Sequence, residues 1–98
     1  MRSRYRLGRP KLNRCVKIKP KARYFKPKSI PMSTLEEVEL TQEELEALRL
    51  KNIEGNNQVD CAKKMKTSQS TFQRILSSAY KKISQALVLG KAIKIIDK

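Results

Sequence analysis

The chain has 98 residues, enough for one domain, and 23 lysines and arginines against 9 aspartates and glutamates give it a formal charge of +14 and a pI of about 10.2. With no histidine and only two cysteines, Cys15 and Cys61, it lacks the usual zinc-ligand sets and any imidazole for acid/base catalysis. The cationic excess points to a polyanionic partner, and because no long apolar run or basic helix with an aromatic-rich face is visible, nucleic acid fits better than a membrane.

No glycine-rich phosphate loop and no nucleophile arrangement appears, so no catalytic residue, cofactor or metal site is expected, and the chain does not read as an enzyme. The opening MRSRYRLGRPK has no apolar stretch behind it, unlike a secretory signal, and its proline and lysine content fits a transit peptide poorly. A cytoplasmic protein is therefore expected.

Residues 1–31 hold twelve cations (Arg2, Arg4, Arg6, Arg9, Lys11, Arg14, Lys17, Lys19, Lys21, Arg23, Lys26, Lys28) and no acid. Self-repulsion predicts an open, partly disordered basic arm until a polyanion neutralises it. Arg14 to Ile18 alternates polar with apolar, as a short strand does, and Tyr24-Phe25 is placed to anchor the segment to a core. Pro20, Pro27 and Pro31 forbid a long helix.

Acids begin at Ser33 to Leu40, where Ser33 with Glu36 suits one helical turn and Val38 to Leu40 a brief extended stretch. Thr41 then reads as an N-cap with Glu44 completing a capping box and Leu40 stapled to Leu45; the helix should run to about Glu54, burying Leu45, Leu48, Leu50 and Ile53 before Gly55 stops it. Eight of the nine acids fall between Glu36 and Asp60, against Arg49 and Lys51, so this helix should lie away from a polyanion and act as support.

Asn57 with Asp60 caps a second helix with Val59, Ala62 and Met65 as its buried stripe, and Cys61 is expected to pack as a small apolar residue. Lys66-Thr67 interrupts the pattern, and Ser68 caps a third helix in which Phe72, Ile75, Leu76 and Ala79 share a side. Small Ala62 allows a close crossing and Phe72 plugs the junction, which is the layout of a helix-turn-helix. Gln69, Ser70, Gln73, Arg74 and Ser77 are left facing outward, offering amide, hydroxyl and guanidinium groups without a carboxylate. The apolar pattern continues through Ile83, Ala86 and Leu87 to Gly90, so this helix is long; its second half packs on the first helix or on the same helix of a second chain. Lys91 to Ile96 reads as a short strand able to pair with Val16 to Ile18 or Val38 to Leu40.

Tyr24-Phe25-Lys26-Pro27, Ile30-Pro31, Leu35 to Val38, Glu44 to Leu50, Glu54-Gly55 and Ser68 to Leu76 together resemble a prokaryotic family of small predicted DNA-binding proteins, domain of unknown function 134. That family's helix-turn-helix is similar to region 4 of the sigma-70 factors. The resemblance covers roughly residues 13 to 95 and implies a mainly α fold of the winged-helix-like superfamily, with short β-like segments at both ends. Lys66 and Gln73 stand where the family pattern usually has glycine, and Lys66 implies strain or a different turn geometry. Ending at Lys98, the chain is expected to lack the additional C-terminal domain of some members.

The expected organisation is a basic arm over 1–31 and a helix-turn-helix domain over 32–98. The leading function is sequence-specific binding of double-stranded DNA by a transcriptional regulator, with Ser68 and Thr71 near phosphates and Gln69, Ser70, Gln73 and Arg74 near base edges. Lys66, Ser77, Arg2, Arg4, Arg6, Arg9, Lys11 and Arg14 complete the expected nucleic-acid contacts. An RNA-binding or ribosome-associated protein is the alternative, disfavoured by 5% aromatic residues. A protein-interaction module of the transcription machinery is a third reading, favoured by the acidic first helix. A homodimer and a contact with RNA polymerase are the protein partners these readings bring.

Overall fold

The fold was analysed in a computed structural model, which describes residues 14–97. The first strand, β1, is Tyr24–Phe25; a 3-10 turn at Met32–Thr34 leads to β2, Glu37–Thr41. Three helices follow, α1 (Gln42–Leu48, prolonged by a π-helical turn at Arg49–Ile53), α2 (Gln58–Lys64) and α3 (Gln69–Leu89), and the chain returns to the sheet as β3, Ala92–Ile96.

The helix starts follow from local chemistry. Thr41 Oγ1 accepts from the Glu44 N–H at 3.1 Å while Glu44 Oε1 accepts from the Thr41 N–H at 2.9 Å, the reciprocal capping box. Asn57 caps α2 by accepting from the Asp60 N–H at 2.8 Å, and Ser68 caps α3 by accepting from the Thr71 N–H at 3.1 Å. α3 stops at Gly90, whose φ of +69° is left-handed, and a Cβ there would stand 3.1 Å from Ile30 Cδ1.

β3 occupies the centre of a three-stranded sheet, parallel to β2 and antiparallel to β1. Val38 lies opposite Ile93 and Leu40 opposite Ile95. The pairing of the C-terminal strand with Val38 to Leu40 is thus realised, whereas Arg14 to Ile18 forms no strand. Its backbone donors go elsewhere, Cys15 N–H to the Met65 carbonyl at 3.0 Å and Lys17 N–H to Glu46 Oε2 at 3.2 Å. The chain is therefore a small α/β domain in which the β-like segments expected at both ends are strands of one sheet: β3 joins strands from both sides because the helices return the chain in a crossover between β2 and β3.

One core cluster, Ala47, Leu50, Cys61, Ala62, Met65, Phe72 and Leu76, fills the space among the helices. A second, Leu40, Ala79 and Ile95, lies between α3 and the sheet, with Leu45 packed against it and Leu48 touching both clusters. Three expected core positions are exposed instead. Ile53 is 80% exposed because the widened π turn, with Glu54 N–H bonded to Arg49 C=O at 2.9 Å, alters the helical phase after Leu50. Val59 stands outside because α2 buries Cys61, Ala62 and Met65, a stripe set one position round the helix. Leu87, together with Val88 and Leu89, is exposed because Ala86, seven residues after Ala79, takes the inward position. Phe25 anchors through its backbone pairing with Ile93, with its side chain half in solvent.

Two carboxylates are buried on α1. Glu44 accepts from Ser78 Oγ at 2.5 Å, Lys82 Nζ at 2.8 Å and the Thr41 N–H; Glu46 receives Arg49 Nε and Nη2 at 2.9 and 3.0 Å and the Lys17 N–H. Burial pushes both acids up, but these donors and cations outweigh it and hold both below the usual carboxylate range. A depressed folded-state pKa stabilises the fold above the unfolded value, and that contribution is lost as pH falls through the folded one. Urea unfolding should thus show a flat stability above about pH 5 and a decline on acidification below the ordinary glutamate value of about 4.3. Glu44→Gln should flatten that decline and lower stability at pH 7 by about 1–3 kcal/mol; an unchanged acid limb would show that Glu44 is not its source.

Candidate nucleic-acid interface

The first turns of α3 present Gln69, Ser70, Gln73, Arg74 and Ser77 to solvent, at i, i+1, i+4, i+5 and i+8, so they share one face. Phe72, Leu76 and Ala79 point the other way into the core, which fixes that face outward. Ser68 is exposed at the cap and Thr71 is half-buried beneath it, with Ser68 Oγ hydrogen-bonded to Thr71 Oγ1 at 2.9 Å and 3.3 Å from Ser70 Oγ. The face therefore carries amides, hydroxyls and one guanidinium.

Lys66 has φ +57°, left-handed backbone that glycine adopts at less cost, as its position in the pattern led us to expect. Its N–H reaches the Lys63 carbonyl at 3.1 Å and the Thr67 N–H reaches Ala62 at 3.0 Å, the paired bonds of a Schellman motif that satisfies the last carbonyls of α2. Lys66 is itself exposed, as are Lys63 and Lys64 in the last turn of α2. These two lysines precede the turn into α3 and were not among the expected contacts; Lys64 Nζ lies 3.4 Å from Asn56 Oδ1, and their place in the polar i, i+1 gap between Ala62 and Met65 is the signal that could have found them. Gln58, also not among them, hydrogen-bonds Gln73 across the helix pair.

Arg14 departs from expectation. Its guanidinium is bound to Glu43 on α1 at 2.5 Å and its side chain is only 17% exposed, so in this chain it is a structural tie and would reach a phosphate only by giving up that pair. Arg2, Arg4, Arg6, Arg9 and Lys11 lie outside the described residues. The bond from Cys15 N–H to Met65 C=O brings the chain that follows them to the turn between α2 and α3.

Of the acids near this region, Asp60 in the first turn of α2 is exposed, and those of the α1 helix and its extension are engaged. Glu43 is paired with Arg14, Glu46 and Glu54 with Arg49, and Glu44 with Lys82, while Lys64 stands 3.9 Å from Glu54. Burial pushes the Cys61 thiol up, which keeps it protonated and inert at neutral pH. Among the described residues no three His, Cys, Asp or Glu side chains are grouped to hold a metal ion, and no helix is long and apolar enough to cross a membrane.

Comparison with known proteins places the sequence in a family. The model described as "Protein of unknown function DUF134" matches residues 3–98. A UPF0251 protein of Desulforudis audaxviator is 54% identical over 89 residues, covering 91% of this chain and 58% of that protein. UPF0251 protein TTE1845 of Caldanaerobacter subterraneus subsp. tengcongensis is 56% identical over 89 residues, covering 91% of this chain and 75% of its own. A UPF0251 protein of Prosthecochloris aestuarii is 48% identical over 90 residues, with 92% and 58% covered. The chain thus spans under two thirds of the length of the first and third of these relatives. No solved structure matches. With the match running over nearly the whole sequence and relatives at about half identity, the chain belongs to the DUF134 family of proteins of unknown function.

Proposed function

We propose that this chain is a sequence-specific double-stranded-DNA-binding protein acting as a transcriptional regulator, in which α2 and α3 form a helix-turn-helix and α3 enters the major groove. The observation that carries the reading is the exposed α3 face itself. Gln69, Ser70, Gln73, Arg74 and Ser77 are side-chain types that bond base edges and phosphates, and the exposed Lys63, Lys64 and Lys66 beside them suit the backbone on either side. A major groove about 12 Å wide admits one α-helix, and the N-terminal turns of a recognition helix are the part that reaches bases. The proposal includes the likeness to region 4 of the sigma-70 factors and to the winged-helix-like superfamily, and a cytoplasmic location.

The protein-interaction reading loses its main support, because Glu43, Glu44 and Glu46 of α1 are occupied by Arg14, Lys82 and Arg49 and offer little acidic surface. Contact with RNA polymerase remains part of the proposal as a second partner of a DNA-bound regulator. An RNA-binding role has less support, since Tyr80 and Phe25 are the well-exposed aromatics among the described residues; Tyr80 lies further along the same side of α3, with its hydroxyl tied to Asn52, and Phe25 is on β1, so they form no stacking platform of successive aromatics.

Arg74→Ala should weaken binding to a preferred duplex by about 1–3 kcal/mol while changing affinity for random duplex much less. Equal losses on both would make Arg74 a phosphate contact only. Deleting residues 1–12 removes Arg2, Arg4, Arg6, Arg9 and Lys11. The slope of log affinity against log salt should fall by about 0.9 for each phosphate that these cations neutralise, and an unchanged slope would mean that they never touch the backbone.

A homodimer is also proposed, because one helix-turn-helix buries little surface and Leu87, Val88 and Leu89 stand exposed at the far end of α3. Sedimentation at micromolar concentration with DNA should give two chains on an inverted repeat with half-sites about one helical turn apart. One chain on a non-repeated site would eliminate the dimer.

A further inference from the structure

We infer that Gln58, the first residue of α2, is a positioning residue that sets Gln73 for reading an adenine. The inference rests on the DNA-binding reading above and goes beyond it by assigning a role to a residue outside the recognition helix. Gln58 Nε2 donates to Gln73 Oε1, and Gln73 Nε2 donates to Ser77 Oγ at 3.0 Å, so the exposed Gln73 amide is held at both ends.

A glutamine side chain has three rotatable bonds, and ordering such a chain at an interface costs affinity when it happens on binding. Here the ordering precedes binding. The tie does not exhaust the amide: its oxygen keeps a second lone pair and its nitrogen a second hydrogen. Those are the two groups that pair with the N6 amino group and N7 of adenine in the major groove. Gln73 can thus meet that base edge without releasing Gln58 or Ser77. Gln58 acts through Gln73, and the helix pair brings them together across 15 residues of sequence.

Selection of duplexes from a random pool, run in parallel with wild type, Gln73→Ala, Gln58→Met and the double variant, tests the assignment. Methionine keeps the length of glutamine and removes the amide. Wild type should select an A·T pair at one position that Gln73→Ala relaxes, and Gln58→Met should relax the same position and weaken the selected duplex about three- to tenfold, the factor expected when one long side chain is left unordered. In the Gln73→Ala background Gln58→Met should cost nothing further, while the unfolding midpoint stays that of the parent. In the free protein, the side-chain amide signals of Gln73 should shift on Gln58→Met.

Retention of full base preference by Gln58→Met, an undiminished loss in the Gln73→Ala background, or unmoved Gln73 amide signals would each overturn the positioning role and leave DNA binding standing. A wild type that selects no sequence while binding random duplex no better than it binds RNA would overturn the DNA reading first, and this assignment with it.

Discussion

Glu44 is the side chain on which the relation of α1 to α3 depends. Its carboxylate closes the capping box of α1 at Thr41 and, from the same buried place, receives Ser78 and Lys82 from the middle of α3. A buried carboxylate left without such partners would cost several kcal/mol, so the fold is held to the one rotation of α3 that supplies a hydroxyl and an ammonium there. That rotation is also the one that turns Phe72, Leu76 and Ala79 inward and Gln69, Gln73 and Arg74 outward. The outward face is thus tied to a contact between residues 34 apart in the chain, Glu44 and Ser78.

The acids of α1 do similar work toward the N-terminal segment. Glu43 holds Arg14, and Glu46 holds both Arg49 and the backbone of Lys17, which ties the chain ahead of β1 down against the helices. In a chain of net charge +14, the acids of α1 are placed where each holds a specific cation, Glu43 with Arg14, Glu44 with Lys82 and Glu46 with Arg49. Long-range attraction for a polyanion and internal cohesion then draw on different groups, and raising the ionic strength would weaken the first far more than the second.

What could be read from the sequence was what the sequence decides locally. Thr41 with Glu44, Asn57, Ser68 and Gly90 marked helix ends correctly because a cap bonds within three residues or needs only its own φ. The outward set on α3 and the left-handed turn at Lys66 were legible for the same reason. The sheet was only half legible: the apolar run at Ala92 to Ile96 was visible, but that it would take Tyr24–Phe25 as its other neighbour depends on a pairing nearly 70 residues apart. Ile53, Val59 and Leu87 were misplaced because periodicity assumes an unbroken 3.6-residue helix and an even partner surface; a π turn, a seven-residue helix and an alanine at the inward position each broke that assumption. Arg14 looked like one more arm cation, since nothing within its own stretch points to Glu43, 29 residues on. Gln58 carried no signal at all, because its contact exists only once α2 and α3 have crossed.

Lys66 brings stability and the proposed function into opposition at one residue. A non-glycine residue in left-handed backbone costs roughly 1 kcal/mol, a noticeable share of the 5–15 kcal/mol that holds a domain of this size together. The Schellman bonds at Lys63 and Ala62 would form as well around glycine, so nothing in the turn's own hydrogen bonding calls for a lysine. What glycine would remove is a cation at the entrance to α3, beside Lys63, Lys64 and the Ser68 cap, where the positive end of a 21-residue helix already favours an anion. On the DNA-binding proposal, a phosphate neutralised by Lys66 releases counterions and steepens the salt dependence of binding by about 0.9. Backbone strain that serves no packing purpose is a feature that functional surfaces carry, and the DNA-binding proposal gives this one a role. On that proposal Lys66, like the α3 face beside it, is explained by the phosphate it would meet, since the hydrogen bonds of the turn do not require a lysine.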